Sequence, residues 1–309
     1  MEVIMLGTSS AVPTARRGLS SVALIREGES FLFDCGEGTQ MRLIKAEFPR
    51  RKFHHIFITH LHGDHIFGLG GLISTLNLGE REYPLHIHGP IGIERFVRFI
   101  LGFPRPTRMG FEVIYDELDP RFDGTVLETD EYRVLAKPLV HTLPALGYRF
   151  EEHDLPGRFD ATRADALGVP FGPERGALQR GNSITLADGR VIHPDALVGP
   201  SRPGRAFVYC TDTAYCDNAI ALAHNADVLV HEATYGDDLA EMARDRRHST
   251  IREAATVAVR AGAKRLIATH FSTRYDGPLM EQLRTEGESV FPGMIMAKDL
   301  LRITIPPVP

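Results

Sequence analysis

Residues 60–65 read His-Leu-His-Gly-Asp-His, three imidazoles and one carboxylate within six positions, and no other stretch constrains the chain as much. Residues 56–59 read as the end of a buried strand. If extended geometry continues beyond them, His60 and His62 point the same way, because side chains alternate with period two. Gly63 lets the backbone turn sharply, so Asp64 and His65, at the start of a helix, project toward a second point a few ångströms away. Imidazole with carboxylate suits zinc or a similar divalent ion, and two such ions about 3.5–4 Å apart form a clamp for displacement at phosphorus. The alternative is a solvated polar turn, but His and Asp clustered at ligand spacing argue for metal.

The 309 residues, 43% of them apolar, suffice for one large domain or two ordinary ones. The N-terminus lacks a basic stretch followed by an apolar one, and no segment approaches about 18 uninterrupted apolar residues, so neither export nor membrane spanning is expected. Cys35, Cys210 and Cys216 form an odd set without a Cys-x-x-Cys pair. That speaks against a disulfide framework and for a reducing, cytoplasmic setting. A net charge of −5 gives no global attraction to nucleic acid, so any such binding has to use local basic patches.

In chain order, residues 2–6, 21–25 and 30–33 read as strands, and residues 39–48 have helical spacing. Residues 34–38 break the sheet between them; Gly36 and Gly38 read as turn glycines, because neither a G-x-G-x-x-G pattern nor a Lys-Ser/Thr pair follows. A second His-x-His, His86 and His88, sits in a strand-like run with no acid or further His after it, and reads as structural. Helices are predicted over 91–101, 218–224 and 250–261.

The remaining ligands are expected at strand ends. Residues 134–140 form a strand ending in His141, residues 206–211 one ending in Asp212, and residues 266–269 one ending in His270. Each alone reads as a core or turn group; three at the same place in three strands, in a chain with a half-built site, read as ligands. A divalent pair needs about seven or eight protein contacts. His60, His62, Asp64, His65, His141, Asp212 and His270 provide seven side chains, with one carboxylate free to bridge. Strand-rich segments before about residue 145 and after about residue 200, each with flanking helices, suggest an α/β (α+β) chain of two αββα halves around one site.

These motifs together resemble the metallo-β-lactamase superfamily, whose members share a four-layer αββα sandwich, and the resemblance spans nearly the whole chain. It implies that His60, His62 and His141 hold one zinc, that Asp64, His65 and His270 hold the other, and that Asp212 bridges them. The scaffold alone does not fix the reaction. Further stretches are similar to the ribonuclease Z family, endonucleases that remove the 3′ trailer from precursor transfer RNA. They are Leu-Gly-Thr-Ser-Ser-Ala-Val-Pro at 6–13, Phe-Asp-Cys-Gly-Glu-Gly-Thr-Gln at 33–40, His-Glu-Ala-Thr at 231–234 and Arg-Arg-His-Ser-Thr at 246–250. Residues 151–181, with Gly172-Pro173, resemble the protruding arm with which that family grips transfer RNA. The expectation is one domain over residues 1–309 with this arm inserted.

Composition agrees with an excursion there. The segment before a hairpin at 184–192 is rich in Gly, Pro and charge, lacks periodicity beyond a short helix at 161–167, and is too long for an ordinary connection. A floppy surface insertion is the alternative. Arg158, Arg175 and Arg180, joined by Arg163 and the Gly172-Pro173 pair, are the candidate RNA contacts, to phosphate and shape rather than to base edges.

The resemblance also implies a mechanism. Two zinc ions, with manganese as the other choice, activate water and polarise the phosphodiester. Asp64 orients the water and accepts its proton, and His248 is the candidate general acid on the departing 3′ oxygen, held in one tautomer by Glu232. The alternative for His248 is a residue at a helix N-terminus capped by Ser249; His231 reads as supporting or core. The products are a 3′ hydroxyl on the transfer RNA and a 5′ phosphate on the trailer. A homodimer is implied, the arm of one subunit presenting precursor transfer RNA to the other's site.

Two stretches depart from the family pattern. Residues 13–18 read Pro-Thr-Ala-Arg-Arg-Gly where many relatives carry Pro-x-Lys-x-Arg-Asn, and residues 210–216 read Cys-Thr-Asp-Thr-Ala-Tyr-Cys rather than Gly-Asp-Thr-Arg. Two other functions stay open at this level: a small-molecule phosphodiesterase or sulfatase of the same fold, and a non-catalytic RNA-binding protein. The seven filled ligand positions argue against the last.

Overall fold

A computed structural model describes residues 1–49, 52–105 and 107–307. The strands run, in chain order, β1 (Glu2–Gly7), β2 (Ser21–Arg26), β3 (Glu29–Phe33), β4 (Phe53–Phe57), β5 (Leu85–Pro90), β6 (Val113–Leu118), β7 (Gly124–Glu128), β8 (Tyr132–Leu139) and β9 (Ala145–Glu152). After the short β10 (Ile184–Thr185) and β11 (Val191–Ile192) come β12 (Ala206–Cys210), β13 (Val228–Glu232), β14 (Leu266–Thr269), β15 (Ile295–Met296) and β16 (Leu301–Thr304). One sheet has the order β16-β1-β2-β3-β4-β5-β6 and the other β15-β14-β13-β12-β9-β8-β7. From β3 to β6, and from β12 to β15, neighbouring strands are parallel.

Alternation decides which side chain faces which layer. On the first sheet, Ile4, Leu6, Leu32, Ile56, Ile58 and Ile87 pack with Leu43, Leu69, Leu72, Ile73, Ile93 and Val97. Those partners come from helices α1 (Thr39–Lys45), α3 (Leu69–Leu78), which follows the one-turn α2 (Gly63–Ile66), and α4 (Ile93–Gly102). The intervening residues point the other way, into an aromatic layer between the sheets. Phe31 meets Phe150 at 5.0 Å between ring centroids, Phe33 meets Phe207 at 5.2 Å, and Phe57 meets Tyr148 at 5.4 Å. Truncating one such ring costs about 3–5 kcal/mol. On the second sheet, α9 (Ile251–Ala261) rests on β13 and β14, with α7 (Asp217–Leu222) and α10 (Pro278–Glu288) against α9.

The result is the expected αββα sandwich, but its halves divide differently. The first sheet takes its strands up to β6, the second begins at β7 near residue 124, and β16 returns to the edge of β1. Each half contributes one sheet and one helix layer, not an αββα set of its own, because each sheet buries its inner face only against the other. Among the described residues, no helix is long and apolar enough to cross a membrane, and the three cysteines are free.

A second compact unit is made mainly of residues 152–205, inserted between β9 and β12. It has its own small core of Ala164, Val169, Leu178, Ile192 and Leu197. Helix α5 (Ala161–Leu167) is capped by the Asp160 carboxylate and stopped by left-handed Gly168, and α6 (Pro173–Gln179) opens on a proline in its first turn. The incoming and outgoing chains pair with each other: Leu155 and Arg202 exchange backbone hydrogen bonds, both at 2.9 Å. The unit is larger than the 151–181 arm read from sequence, because Ile192 and Leu197 complete the same core. Helix α8 spans Ala240–Arg246, about two turns.

Candidate metal centre

The site forms where strands of both sheets run out. Asp34 follows β3, His60 and His62 lie on extended chain beyond β4, His141 stands two residues past β8, Asp212 follows β12 closely and His270 follows β14. Strand β4 ends at Phe57 rather than at residue 59, although Ile58 N–H still donates to His88 O at 2.8 Å. Asp34, Asp212 and His270 all adopt left-handed backbone angles, φ 58°, 47° and 60°. That conformation costs side-chain-bearing residues of order 1 kcal/mol or more. Here it turns the chain sharply as each strand ends.

The seven expected ligands converge in two groups. His60 Nε2 lies 3.0 Å from His62 Nδ1, and His141 Nε2 lies 3.2 Å from that same atom. Asp212 Oδ2 lies 3.5 Å from His60 Nε2 and 3.6 Å from His141 Nε2. A centre about 2.0–2.1 Å from four tetrahedral ligands has edges of about 3.3–3.4 Å. In the second group, Asp212 Oδ1 lies 3.2 Å from His65 Nε2 and 3.1 Å from His270 Nε2. Asp64 Oδ2 is 3.4 Å and 3.6 Å from those two nitrogens. Asp212 thus addresses one group with each carboxylate oxygen.

The donors fit divalent cations on their own chemistry. His65 Nε2 and His270 Nε2 are buried with no hydrogen-bond partner, a state that costs about 1–3 kcal/mol per group if nothing binds. The remote ring nitrogens are held in place. His65 Nδ1 donates to Asp34 Oδ2 at 2.7 Å, and His141 Nδ1 donates to the Arg247 carbonyl at 3.0 Å. His60 Nδ1 and His270 Nδ1 lie 3.1 Å and 2.9 Å from the hydroxyls of Thr59 and Thr234. Such partners fix which nitrogen offers its lone pair.

The electrostatics agree. Burial pushes His65 down, but the carboxylates of Asp212, Asp34 and Asp64 outweigh it and hold that imidazole well above its ordinary value. The field there favours positive charge. Burial, aided by His65, holds His60 well below its ordinary value and so neutral, as a ligand must be. Burial opposes ionisation of Asp212, yet His270, His65 and His60 keep it well below the carboxylate range.

Asp34 was not among the residues singled out from sequence. Its carboxylate accepts from Thr59 N–H at 2.8 Å, from Tyr209 O–H at 3.1 Å and from His65. The available signal was an acid directly after an apolar strand, where a turn was read.

His248 stands beside both groups. Its Nδ1 donates to Glu232 Oε1 at 2.8 Å, and its ring stacks on His270 with centroids 5.6 Å apart. Glu232 is fully buried and also accepts from Thr213 N–H at 2.7 Å and Thr234 O–H at 2.6 Å. Burial disfavours the imidazolium, but the Glu232 carboxylate overrides it and raises His248 to about 9. Ser249 is not the helix cap: its hydroxyl donates to Thr213 O at 2.6 Å, while Thr250 and Glu253 form a reciprocal capping box at the start of α9. That bond ties the α9 N-terminus to the turn carrying Asp212. His231 is buried, with Nδ1 on the Glu232 carbonyl.

A cleft of about 510 Å³ opens over these groups, lined by Ser10, Ala11, Pro13, Leu19, Glu37, His62, Gly63, Asp64, Phe67, Asp212 and His248. Ala11 N–H donates to Asp64 Oδ2 at 2.9 Å. His86 and His88 stay out of it. His88 is occupied on both sides, 3.1 Å from Asp116 and 3.0 Å from His55, partners that neighbouring strands supply and that sequence spacing did not show.

The RNA-contact candidates lie in the second unit. Arg158, Arg163 and Arg180 are exposed, and Gly172 takes φ 137° immediately before Pro173. Arg175 is committed internally, its guanidinium on Asp165 and on the carbonyls of Val169 and Pro170.

Residues 1–90 match the family described as anti-Pycsar protein Apyc1, and residues 196–271 match the beta-lactamase superfamily domain. The chain is 46% identical over 311 residues to the ribonuclease Z of a Picosynechococcus strain, covering 99% of this chain and 97% of that protein. It is 47% identical over 309 residues to the ribonuclease Z of Salinibacter ruber, covering 99% and 95%. Among solved structures, the short form of human tRNase Z superposes with a TM-score of 0.71 at 29% identity, covering 99% of this chain and all of that one, 100%.

Proposed function

The chain belongs to the ribonuclease Z family, nucleases of transfer RNA 3′ processing, and from that premise we infer that it removes the 3′ trailer of precursor transfer RNA with two divalent cations. The carrying observation is Asp212, whose two oxygens each face a separate imidazole group. His60, His62 and His141 would hold one cation, Asp64, His65 and His270 the other, and Asp212 both; zinc suits the donors best and manganese is compatible. When bound, the pair supplies Lewis acidity to the phosphodiester and a water acidic enough to react near neutral pH.

The chain's own residues supply the rest. Asp64, steadied by Ala11 N–H, orients the attacking water and takes its proton on the carboxylate. His248, with Nδ1 fixed on Glu232, keeps Nε2–H for the departing 3′ oxygen, so the transfer RNA ends in a hydroxyl and the trailer in a 5′ phosphate. Arg158, Arg180 and the Gly172-Pro173 turn grip the RNA backbone, with Arg175 keeping that turn in shape. The working form in this reading is a cytoplasmic homodimer.

The test is cleavage of a precursor transfer RNA with a 3′ trailer, the cut mapped to the nucleotide, with His65→Ala alongside and metal content measured for both. The expected cut falls just after the discriminator base, and His65→Ala loses on the order of 100-fold or more in rate. Wild-type protein that holds both metals and turns over a small phosphodiester, but leaves the precursor intact, would instead be a small-molecule phosphodiesterase.

A further inference from the structure

We infer that Phe67 is the platform on which an unpaired RNA base beside the scissile phosphate stacks. The inference rests on the nuclease reading above and deepens it, since none of the ligands or proton-transfer groups addresses a base.

Ile66 and Leu69 are buried, at 3% and 0% exposure, whereas Phe67 between them is 62% exposed. It lines the same cleft as His62, Asp64 and His248, so the ring borders the groups that handle the phosphate. Its position is fixed by the ligand turn itself. A Cβ built on Gly63 would lie 2.3 Å from Phe67 Cε2, so the ring packs directly on the backbone between His62 and Asp64. Phe96 supports it from α4, with centroids 6.2 Å apart and planes 27° from parallel.

A single exposed phenylalanine on an open surface is ordinary. One seated on the backbone of the ligand turn in the wall of a catalytic cleft is different, because the substrate there is a polyanion whose extended apolar surfaces are its base faces. Phosphate and ribose hydroxyls gain nothing from a phenyl ring. Single-stranded RNA is gripped by splaying bases onto aromatic side chains, largely without regard to sequence, because every base has a π face. Pro13, an exposed apolar residue lining the same cleft, extends the surface available to such a base. The ligand turn therefore handles both parts of one nucleotide unit: Asp64 and the imidazoles face its phosphate, and the ring seated on Gly63 faces its base. Stacking would fix which phosphate along the strand lies over the ligands.

The test uses full-length protein and precursor transfer RNAs, unmodified or carrying one abasic ribose on either side of the cut. Phe67→Ala is expected to lower kcat/KM on the unmodified precursor about 5- to 150-fold, mainly through KM, the equivalent of one lost base stack, and to blur the cut site by a nucleotide. Phe67→Trp restores both, and wild-type metal content in the two variants shows that the ligand turn is intact. The abasic precursor at one of the two positions should cost the wild type the same factor and cost Phe67→Ala nothing more. Equal abasic penalties in wild type and Phe67→Ala would overturn the inference, as would a changed sedimentation of Phe67→Ala that Phe67→Trp does not repair, which would make the ring a subunit contact. Wild-type protein that cuts none of the precursors would overturn the nuclease reading itself, a separate pattern.

Discussion

Asp34 joins four parts of the chain through one carboxylate: the end of β3 that carries it, Thr59 after β4, Tyr209 on β12 and His65 in α2. Replacing it with asparagine keeps the shape and removes the charge that orients and enriches the His65 ring. Asp34→Asn is expected to weaken metal binding about 10- to 100-fold, read by competition with a chromophoric chelator. Unchanged affinity would show that His65 is oriented by something else. The seven candidate ligands were legible because four lie in one short motif and three come within two residues of a strand end. Asp34 was not, since its partners lie 25, 31 and 175 positions away, and no local spacing marks them. Thr234 was read only as part of the His-Glu-Ala-Thr motif; its contact with His270, 36 positions away, was not visible for the same reason.

Strands β4, β5 and β6 carry a consequence of their own. His55 stacks on His86 and His88, with ring centroids 5.0 Å and 5.3 Å apart. Burial, followed by the neighbouring His88, His86 and His54, pushes His55 down to about 3, and burial also lowers His88 despite Asp116. A depressed histidine takes up its proton in the unfolded chain first, so its contribution is present above about pH 6.5 and is lost as pH falls toward about 3. Urea midpoints measured between pH 7 and pH 5 should therefore fall for wild type and fall less for His55→Phe. Parallel slopes would exclude these rings as the cause. The strands themselves were legible from alternation, and α5, α7 and α9 fell within a residue or two of their predicted bounds. The histidine stack was not, because pairing across parallel strands joins residues that periodicity treats separately. The alternative reading of Ser249 as the α9 cap misses by one position: Thr250 has the glutamate three residues on that completes a capping box, and Ser249 is drawn to Thr213.

At the scale of the whole molecule, the two units are joined through a pair of chain crossings that bond to each other. Replacing residues 154–203 with a short Gly-Ser turn is expected to leave metal content and small-phosphodiester turnover close to wild type. Precursor transfer RNA cleavage should fall about 100-fold or more, as for two phosphate contacts at about 1.5 kcal/mol each. Equal cleavage by the shortened chain would remove the second unit from substrate binding. That an excursion exists was legible from glycine, proline and length; its true extent was not, because the core that closes it is completed by Ile192 and Leu197, beyond the stretch where composition changes. The division into halves was misread for a related reason. The strands of a sandwich are assigned to a sheet by pairing, and β9 pairs with β12 across the whole insertion, bringing β8 and β7 into the same sheet.

The paired crossings at Leu155 and Arg202 also bear on how such a protein changes over generations. His141 comes before the insertion and Asp212 after it, while the insertion leaves and rejoins the sheet at adjacent strands, β9 and β12. The inserted unit can therefore be exchanged as one cassette between adjacent strands, with every candidate ligand left outside it.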